Sequence, residues 1–196
     1  MALPVRYLDA AQSGTGHAGT DVDPWSLADY ISGHTRGMLV HVKAGTYTLT
    51  GEGANTIIGN NHVSGTETIG FPLILRGYIT TPGDLDSGAV TTNQPVFTVD
   101  AATKYLQTSQ YCSNVQVENI TFTGDNATQS MRVQGVCRFR RCRFVNTAGN
   151  VSNPAYAMNS STSPHYFQEC YFENSQSYSA NNGLVVSAAN AFFVGC

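Results

Sequence analysis

Four short segments of the chain share one spacing of apolar positions. Val117-Glu-Asn-Ile-Thr-Phe122, Phe139-Arg-Arg-Cys-Arg-Phe144, Phe167-Gln-Glu-Cys-Tyr-Phe172 and Phe193-Val-Gly-Cys196 align without gaps. The first position is Val or Phe, the fourth is Ile or Cys, and the sixth is Phe wherever the segment reaches it. Phe139 follows Val117 by 22 residues, Phe167 follows Phe139 by 28, and Phe193 follows Phe167 by 26. A constant motif separated by variable stretches is the mark of a solenoid, in which each repeat buries its apolar face only against its neighbours.

Side chains on a strand alternate faces, so the fourth and sixth positions share a face while the first and fourth do not. A corner between them turns all three inward. The expected corner is the pair Glu118-Asn119 and its equivalents. Asn119 suits a left-handed corner residue, whereas Arg141 and Glu169 at the same place suit it less. The motif therefore reads as strand, corner, strand. A third strand per coil is expected at Met131-Arg-Val133, Tyr156-Ala-Met158 and Leu184-Val-Val186, with Val186 following Met158 by 28 residues. Polar loops from Asn146 to Pro154, Asn159 to Pro164 and Asn174 to Gly183 absorb the length variation.

Earlier coils are less regular. Leu39-Val-His-Val42, Pro72-Leu-Ile-Leu75 and Pro95-Val-Phe-Thr-Val99 supply further strands. Ahead of them, Asp23-Pro-Trp-Ser-Leu-Ala-Asp-Tyr-Ile31 predicts a short helix capped by Asp23 with Pro24 at its first position. Leu27, Ala28 and Ile31 fall on its apolar side, which would cover the first rung. The fold expected is an all-β right-handed parallel β-helix with three strands per coil and coils of about 22–28 residues. It forms a single domain over 1–196, with an N-terminal cap at 1–37 and coils over 38–196. Because Cys196 sits midway through a motif, the helix is expected to be truncated there or continued by a partner.

Composition agrees. The chain is 41% hydrophobic but only 12% charged, with 19 Gly, a profile of short strands and polar turns rather than helices. A net charge of −3 and no concentrated basic surface argue against nucleic acid. No stretch is long and apolar enough to span a membrane, and no signal peptide is visible at the N-terminus. Sequons at Asn119, Asn126, Asn150 and Asn159 are what chance gives in so Asn- and Ser/Thr-rich a chain.

The order Tyr7-Leu-Asp9, a Gly-rich loop, the short helix, Val40-His-Val-Lys-Ala-Gly-Thr-Tyr47 and Leu75-Arg-Gly-Tyr-Ile-Thr-Thr-Pro-Gly-Asp84 resembles the start of pectin-lyase-like right-handed β-helix proteins. That family includes secreted polysaccharide-active enzymes and phage tailspike or fibre proteins. The resemblance implies the fold across the whole chain and says little of activity, since these residues are rungs and corners.

Candidate chemistry is sparse. Cys142, Cys170 and Cys196 are expected as an inward column of reduced thiols, with Cys112 and Cys137 outside it. The basic run Arg138 to Arg143 reads mostly as outer charge ladders: Arg140 is in register with Glu118 and Gln168, and Arg141 with Asn119 and Glu169. Arg138 and Arg143 are left to touch an acidic sugar. Asp84, Asp86, Asp100 and Asp125 lie in turns or strand ends, and Glu169 and Glu173 have structural readings, so no acid pair stands out for hydrolysis or lyase chemistry. His17, His34, His41, His62 and His165 are scattered and read as surface groups. Tyr105, Tyr111, Tyr156, Tyr166, Tyr171 and Tyr178 offer aromatic faces on which sugars could stack.

No catalytic residue, metal or cofactor is assigned. The expected function is a structural or surface-contact β-helix module of a virion, such as a tailspike, fibre or capsid-decorating protein, in contact with glycans. The alternative is a polysaccharide lyase or glycoside hydrolase of the same fold. The first implies a homo-oligomer, as in trimeric tailspikes, or other virion proteins as partners, and a virion or extracellular location.

Overall fold

The computed structural model describes residues 3–35, 37–50, 54–58, 72–87, 90–101, 104–108, 114–124, 129–147, 156–160, 165–174, 184–186 and 191–196, with 54–55, 129–130, 156–160, 174 and 184–186 described by backbone alone. Cys112, Asp125, His62, Tyr111, Tyr178, Asn126 and Asn150 lie outside the described residues.

The strands stack into three parallel sheets. The first sheet has seven: β1 (Val5–Leu8), β2 (Leu39–Lys43), β5 (Leu73–Tyr78), β8 (Val115–Glu118), β11 (Cys137–Arg140), β14 (His165–Gln168) and β17 (Ala191–Val194). The second has β3 (Thr46–Leu49), β6 (Val96–Val99), β9 (Thr121–Gly124), β12 (Arg143–Asn146) and β15 (Tyr171–Asn174). The third has β4 (Ala54–Ile58), β7 (Tyr105–Thr108), β10 (Gln129–Val133), β13 (Tyr156–Ser160) and β16 (Leu184–Val186). Each coil visits the sheets in turn and rises by one strand spacing. The protein is a right-handed parallel β-helix, the hand that nearly all parallel crossovers take.

The motif positions point as their periodicity requires. Val117, Ile120 and Phe122 are buried, as are Phe139, Cys142 and Phe144, and then Phe167 and Cys170. Two aromatic columns run up the interior. Phe139 stacks on Phe167 at 5.3 Å and Phe167 on Phe193 at 5.0 Å. On the second sheet Tyr47, Phe97, Phe122, Phe144 and Phe172 form a continuous stack. The columns meet edge to face, as between Phe139 and Phe144 at 5.3 Å and 75°. Stacked and edge-on aromatic pairs add about 0.5–1.5 kcal/mol beyond their burial.

The corner is one left-handed residue. Asn119, Arg141 and Glu169 have φ of 57°, 54° and 53°, and Gly195 at the same place has 65°. Arg141 and Glu169 thus accept a conformation that costs non-glycine residues roughly 1–3 kcal/mol. Their amides are committed to the next coil: Arg141 N–H donates to the Gln168 carbonyl and Glu169 N–H to the Val194 carbonyl, both at 2.8 Å.

Several expectations need correction. Val5–Leu8, placed in the cap, is already a rung paired residue for residue with Leu39–Val42. The helix α1 (Leu27–Gly33) is capped by Ser26, not Asp23, with Asp29 closing a capping box. Trp25 is the reason. Its N–H donates to the Tyr7 carbonyl and its carbonyl accepts from Asp9, which holds it extended. Asp23 instead accepts from Ala18 N–H and pairs with His17. Ala28 is exposed, and Tyr30 anchors the helix by donating from its hydroxyl to the Ile57 carbonyl at 2.8 Å. In the third sheet Met158 pairs with Leu184, two residues earlier than the 28-residue step implies. Asn159 lies inside β13 rather than opening a loop.

Two histidines expected at the surface are buried. His165 is an inward residue of β14 in register with Cys137. His34 stacks on Tyr30 at 4.5 Å, its Nδ1–H donates to the Tyr30 carbonyl, and burial pushes its pKa below 6.5.

Replacing Glu169 by Gly should relieve the corner strain and raise the urea midpoint, by up to about 1 kcal/mol in stability. Full stability requires neutral His34. Its contribution is complete above the unfolded-chain pKa of about 6.5 and is lost as pH falls from there towards the depressed folded value. Half-buried His41, also lowered, acts in the same sense, while partly exposed His17 is raised by Asp23 and acts weakly in the opposite one. Thermal melts between neutral and mildly acidic pH should show falling stability, with a shallower slope in His34→Gln.

Candidate functional site

The outer face of the seven-stranded sheet carries two side-chain columns. One runs Val5, Leu39, Ile74, Gln116, Arg138, Tyr166, Phe192, and the other Tyr7, His41, Arg76, Glu118, Arg140, Gln168, Val194. In-register pairing sets neighbours in a column about 4.8 Å apart. A shallow depression of about 350 Å³ lies over the middle of this face, lined by Gln116, Glu118, Arg138, Arg140, Tyr166 and Gln168 among others.

The arginine run divides among three environments. Arg138 and Arg140 are exposed in the depression, two residues apart on β11 and so about 7 Å from each other. Among the described residues, neither has a carboxylate within 4.0 Å. Arg140 is in register with Glu118, but the Glu118 carboxylate accepts instead from Arg76 Nε at 2.6 Å. Arg143, expected to be free for a ligand, lies on the second sheet, where it pairs with Glu173 at 3.2 Å and covers Tyr171 at 5.3 Å. Arg141, expected on an outer ladder, is buried at the corner, with Nε 3.8 Å from Glu169. The alternation that points Arg138 and Arg140 outward ends at the corner, and the phase restarts beyond it.

The aromatic faces are largely occupied. Tyr166 lies between the Arg138 guanidinium, 5.5 Å from its ring, and Phe192, stacked at 5.1 Å. It presents an edge and a hydroxyl rather than a platform. Tyr171 is covered by Arg143. Tyr105 is half-buried on the third sheet, and Tyr156 is described by backbone alone. Around the depression the outer face of the seven-stranded sheet therefore offers charge and hydrogen-bonding groups rather than an open aromatic platform.

The acids are mostly engaged. Asp84 accepts the N–H groups of Ile79, Thr80 and Thr81, which closes its own turn. Asp100 pairs with Lys104 at 2.7 Å. Asp86, expected as a turn residue, also reaches the face: its Oδ2 lies 3.9 Å from Arg76 Nη1. Asp86 and Glu118 thus flank one arginine. The motif offered Glu118 only as a rung, and nothing local joined it to residues 42 positions earlier.

On the same face His41 lies half-buried between Tyr7 and Tyr78, with ring centroids at 5.3 and 6.2 Å. Loss of solvent lowers its pKa, and the Arg76 charge lowers it further. Asn119 is buried, which removes it as a glycosylation acceptor. Cys142 and Cys170 are buried free thiols, and burial drives the Cys142 thiol well up and unreactive. Cys196 follows them in the column and accepts from the Cys170 N–H at 3.3 Å, but it is exposed rather than inward as expected.

No protein-family model matches the chain, and no curated protein matches it. Among solved structures a rhamnogalacturonan lyase superposes with a TM-score of 0.51 at 10% sequence identity. The match covers 97% of this chain and 62% of the lyase, so this chain spans less than two thirds of that protein's length. The likeness is one of fold.

A Cβ at Gly77, near the end of β5, would collide with the Asn119 carbonyl oxygen of the next coil's corner, so the position requires glycine. Gly77→Ala should cost about 1–3 kcal/mol, read from urea denaturation, by forcing these corners apart.

Proposed function

We propose that the chain is a surface-contact β-helix module, of the kind carried by virion spikes and fibres, that engages an acidic polysaccharide through the outer face of its seven-stranded sheet. The observation that carries this reading is the pair Arg138 and Arg140, exposed on one strand, without carboxylate partners among the described residues, and flanked by Gln116 and Gln168. Guanidinium groups favour carboxylates and sulfates by paired hydrogen bonds, and the two glutamines add donors and acceptors for sugar hydroxyls. Rigid strands hold the groups at fixed spacing, which limits the ordering that binding would otherwise require.

The protein should bind polygalacturonate and not neutral dextran in affinity electrophoresis or calorimetry, and rising salt should weaken the binding. Two exposed charge contacts of roughly 0.5–1 kcal/mol each imply that Arg138→Ala/Arg140→Ala lowers affinity about tenfold. Unchanged affinity in that double variant would sink the reading.

A second reading, a polysaccharide lyase, is favoured by the third sheet. There Gln107 and Arg132 are in register, Gln107 donates to Thr56 at 2.9 Å, and the Arg132 Nε is buried without a hydrogen-bond partner among the described residues. A guanidinium held on the sheet's outer face suits a uronate carboxylate, whose neutralisation assists β-elimination. The described strands of that sheet contain no histidine or carboxylate, so the proton acceptor would come from elsewhere. Incubation with rhamnogalacturonan and other acidic polysaccharides, followed by ultraviolet detection of the unsaturated sugar that elimination creates, separates a lyase from a binding module.

A further inference from the structure

Between β5 and β6 the two-residue corner of the later coils is replaced by a long excursion over 79–95. Its described residues fold back across the corners of the next two coils. Asn119 Nδ2 donates to Asp86 Oδ1 at 3.3 Å, and Arg141 Nη2 donates to the Ser87 carbonyl at 3.0 Å. Gln94 is buried, donates from Nε2 to the Arg141 carbonyl at 2.8 Å, and accepts from the Thr121 hydroxyl at 3.3 Å. Leu85, in the same excursion, is buried. Arg141 therefore meets the excursion with its guanidinium and its carbonyl. That accounts for an arginine at a left-handed corner where glycine would carry no strain.

The result at the surface is the position of Asp86. It approaches Arg76 from one side while Glu118 holds it from the other. Arg76 stands in the same outer column as Arg140, two rungs away, with Glu118 between them. Without the two acids the face would present three arginines. With them it presents two at one end and an ion-paired cluster beside them.

We propose that Asp86 and Glu118 are specificity residues that withhold Arg76 from ligands, so that the face favours acidic glycans of low charge density over those with a carboxylate on every sugar, and that Arg141 is the positioning residue that holds Asp86 in place. This rests on the acidic-polysaccharide reading above. A second anion laid along the column would meet Glu118 and Asp86 instead of a free cation, and like charges at that range repel.

The test compares polygalacturonate, charged on every residue, with hyaluronan, charged on alternate residues. Asp86→Asn should raise affinity for polygalacturonate about two- to fivefold, and more than for hyaluronan. An equal rise for both, or none, overturns the specificity claim while leaving polysaccharide binding intact. Two measurements need no glycan. Phenylglyoxal labelling followed by mass spectrometry should show Arg76 modified more slowly than Arg140 in the wild type, and faster in Asp86→Asn. In Arg141→Gly, which keeps the corner conformation without strain, amide hydrogen exchange over 79–87 should accelerate while β11 and β12 stay protected, and Arg76 labelling should rise. Unchanged exchange over 79–87 overturns the role of Arg141. Failure of the wild type to bind either polysaccharide overturns the binding reading, and the labelling then reports separately whether Asp86 screens Arg76.

Discussion

Every part of this molecule depends on parallel strands stacking in register, so that each side chain sits directly above its counterpart one coil back. A position in the motif is therefore a column, and a column must be tolerable along its whole length. Inside, aromatic rings meet this condition best, because offset stacking at the strand spacing brings their faces into contact. The same condition fixes the corner. To keep both flanking strands aligned with the coils above and below, one residue turns left-handed at the corner after β8, β11, β14 and β17, whatever its identity. Asn119 and Gly195 accept this readily. Arg141 and Glu169 accept it because their amides are committed to the adjacent coil, where an N–H left unpaired would carry a cost of about the same size as the strain.

Stacking governs the exterior as well. Outward residues are placed in columns by interior packing and not by their own preferences, so the surface inherits a ladder geometry. Arg138 over Tyr166 and Tyr166 over Phe192 are consequences of register. So is the separation of the arginine run, four of whose members fall on two sheets and a buried corner. A run of basic residues in a solenoid is thus not a patch until the corner between its members has been located.

The periodic features were legible in advance because they repeat: the Phe-x-x-Cys-x-Phe rungs, the left-handed corner, the thiol column, and the register of Arg140 with Glu118 and Gln168, though the charge ladder expected from that register gives way to the Arg76–Glu118 pair. The remainder is not periodic. Val5–Leu8 forms a rung without the motif, since only its pairing with β2 reveals it. The helix starts at Ser26 because Trp25 is captured by β1, a contact between segments that local capping preference does not encode. His34 and His165 are buried by neighbours in space. The segment Thr80 to Gly88 reads as a turn-rich loop, but the reach of its described residues across two further coils decides the fate of Arg141 and Asp86. The exposed pair Arg138 and Arg140 could have been found by carrying strict alternation along β11, whereas the covering of Tyr171 by Arg143 follows only from the register of the second sheet.

That covering bears on how the face can recognise a ligand. A sugar ring stacks on an aromatic platform when one face of the platform is open. A ladder tends to close such faces, because the neighbouring rung lies within van der Waals reach in the direction in which a ring would stack. Aromatic residues in the interior of an in-register sheet face are then spent on each other or on arginine, and they turn their edges to solvent. Charges behave differently. A guanidinium at the tip of a long side chain extends beyond the packed layer and keeps donors facing outward even where its stem is covered. An exterior built from parallel columns therefore favours ligands that offer anions and hydroxyls along a line over ligands that offer flat apolar rings, which is the physical basis for proposing an acidic polysaccharide at Arg138 and Arg140.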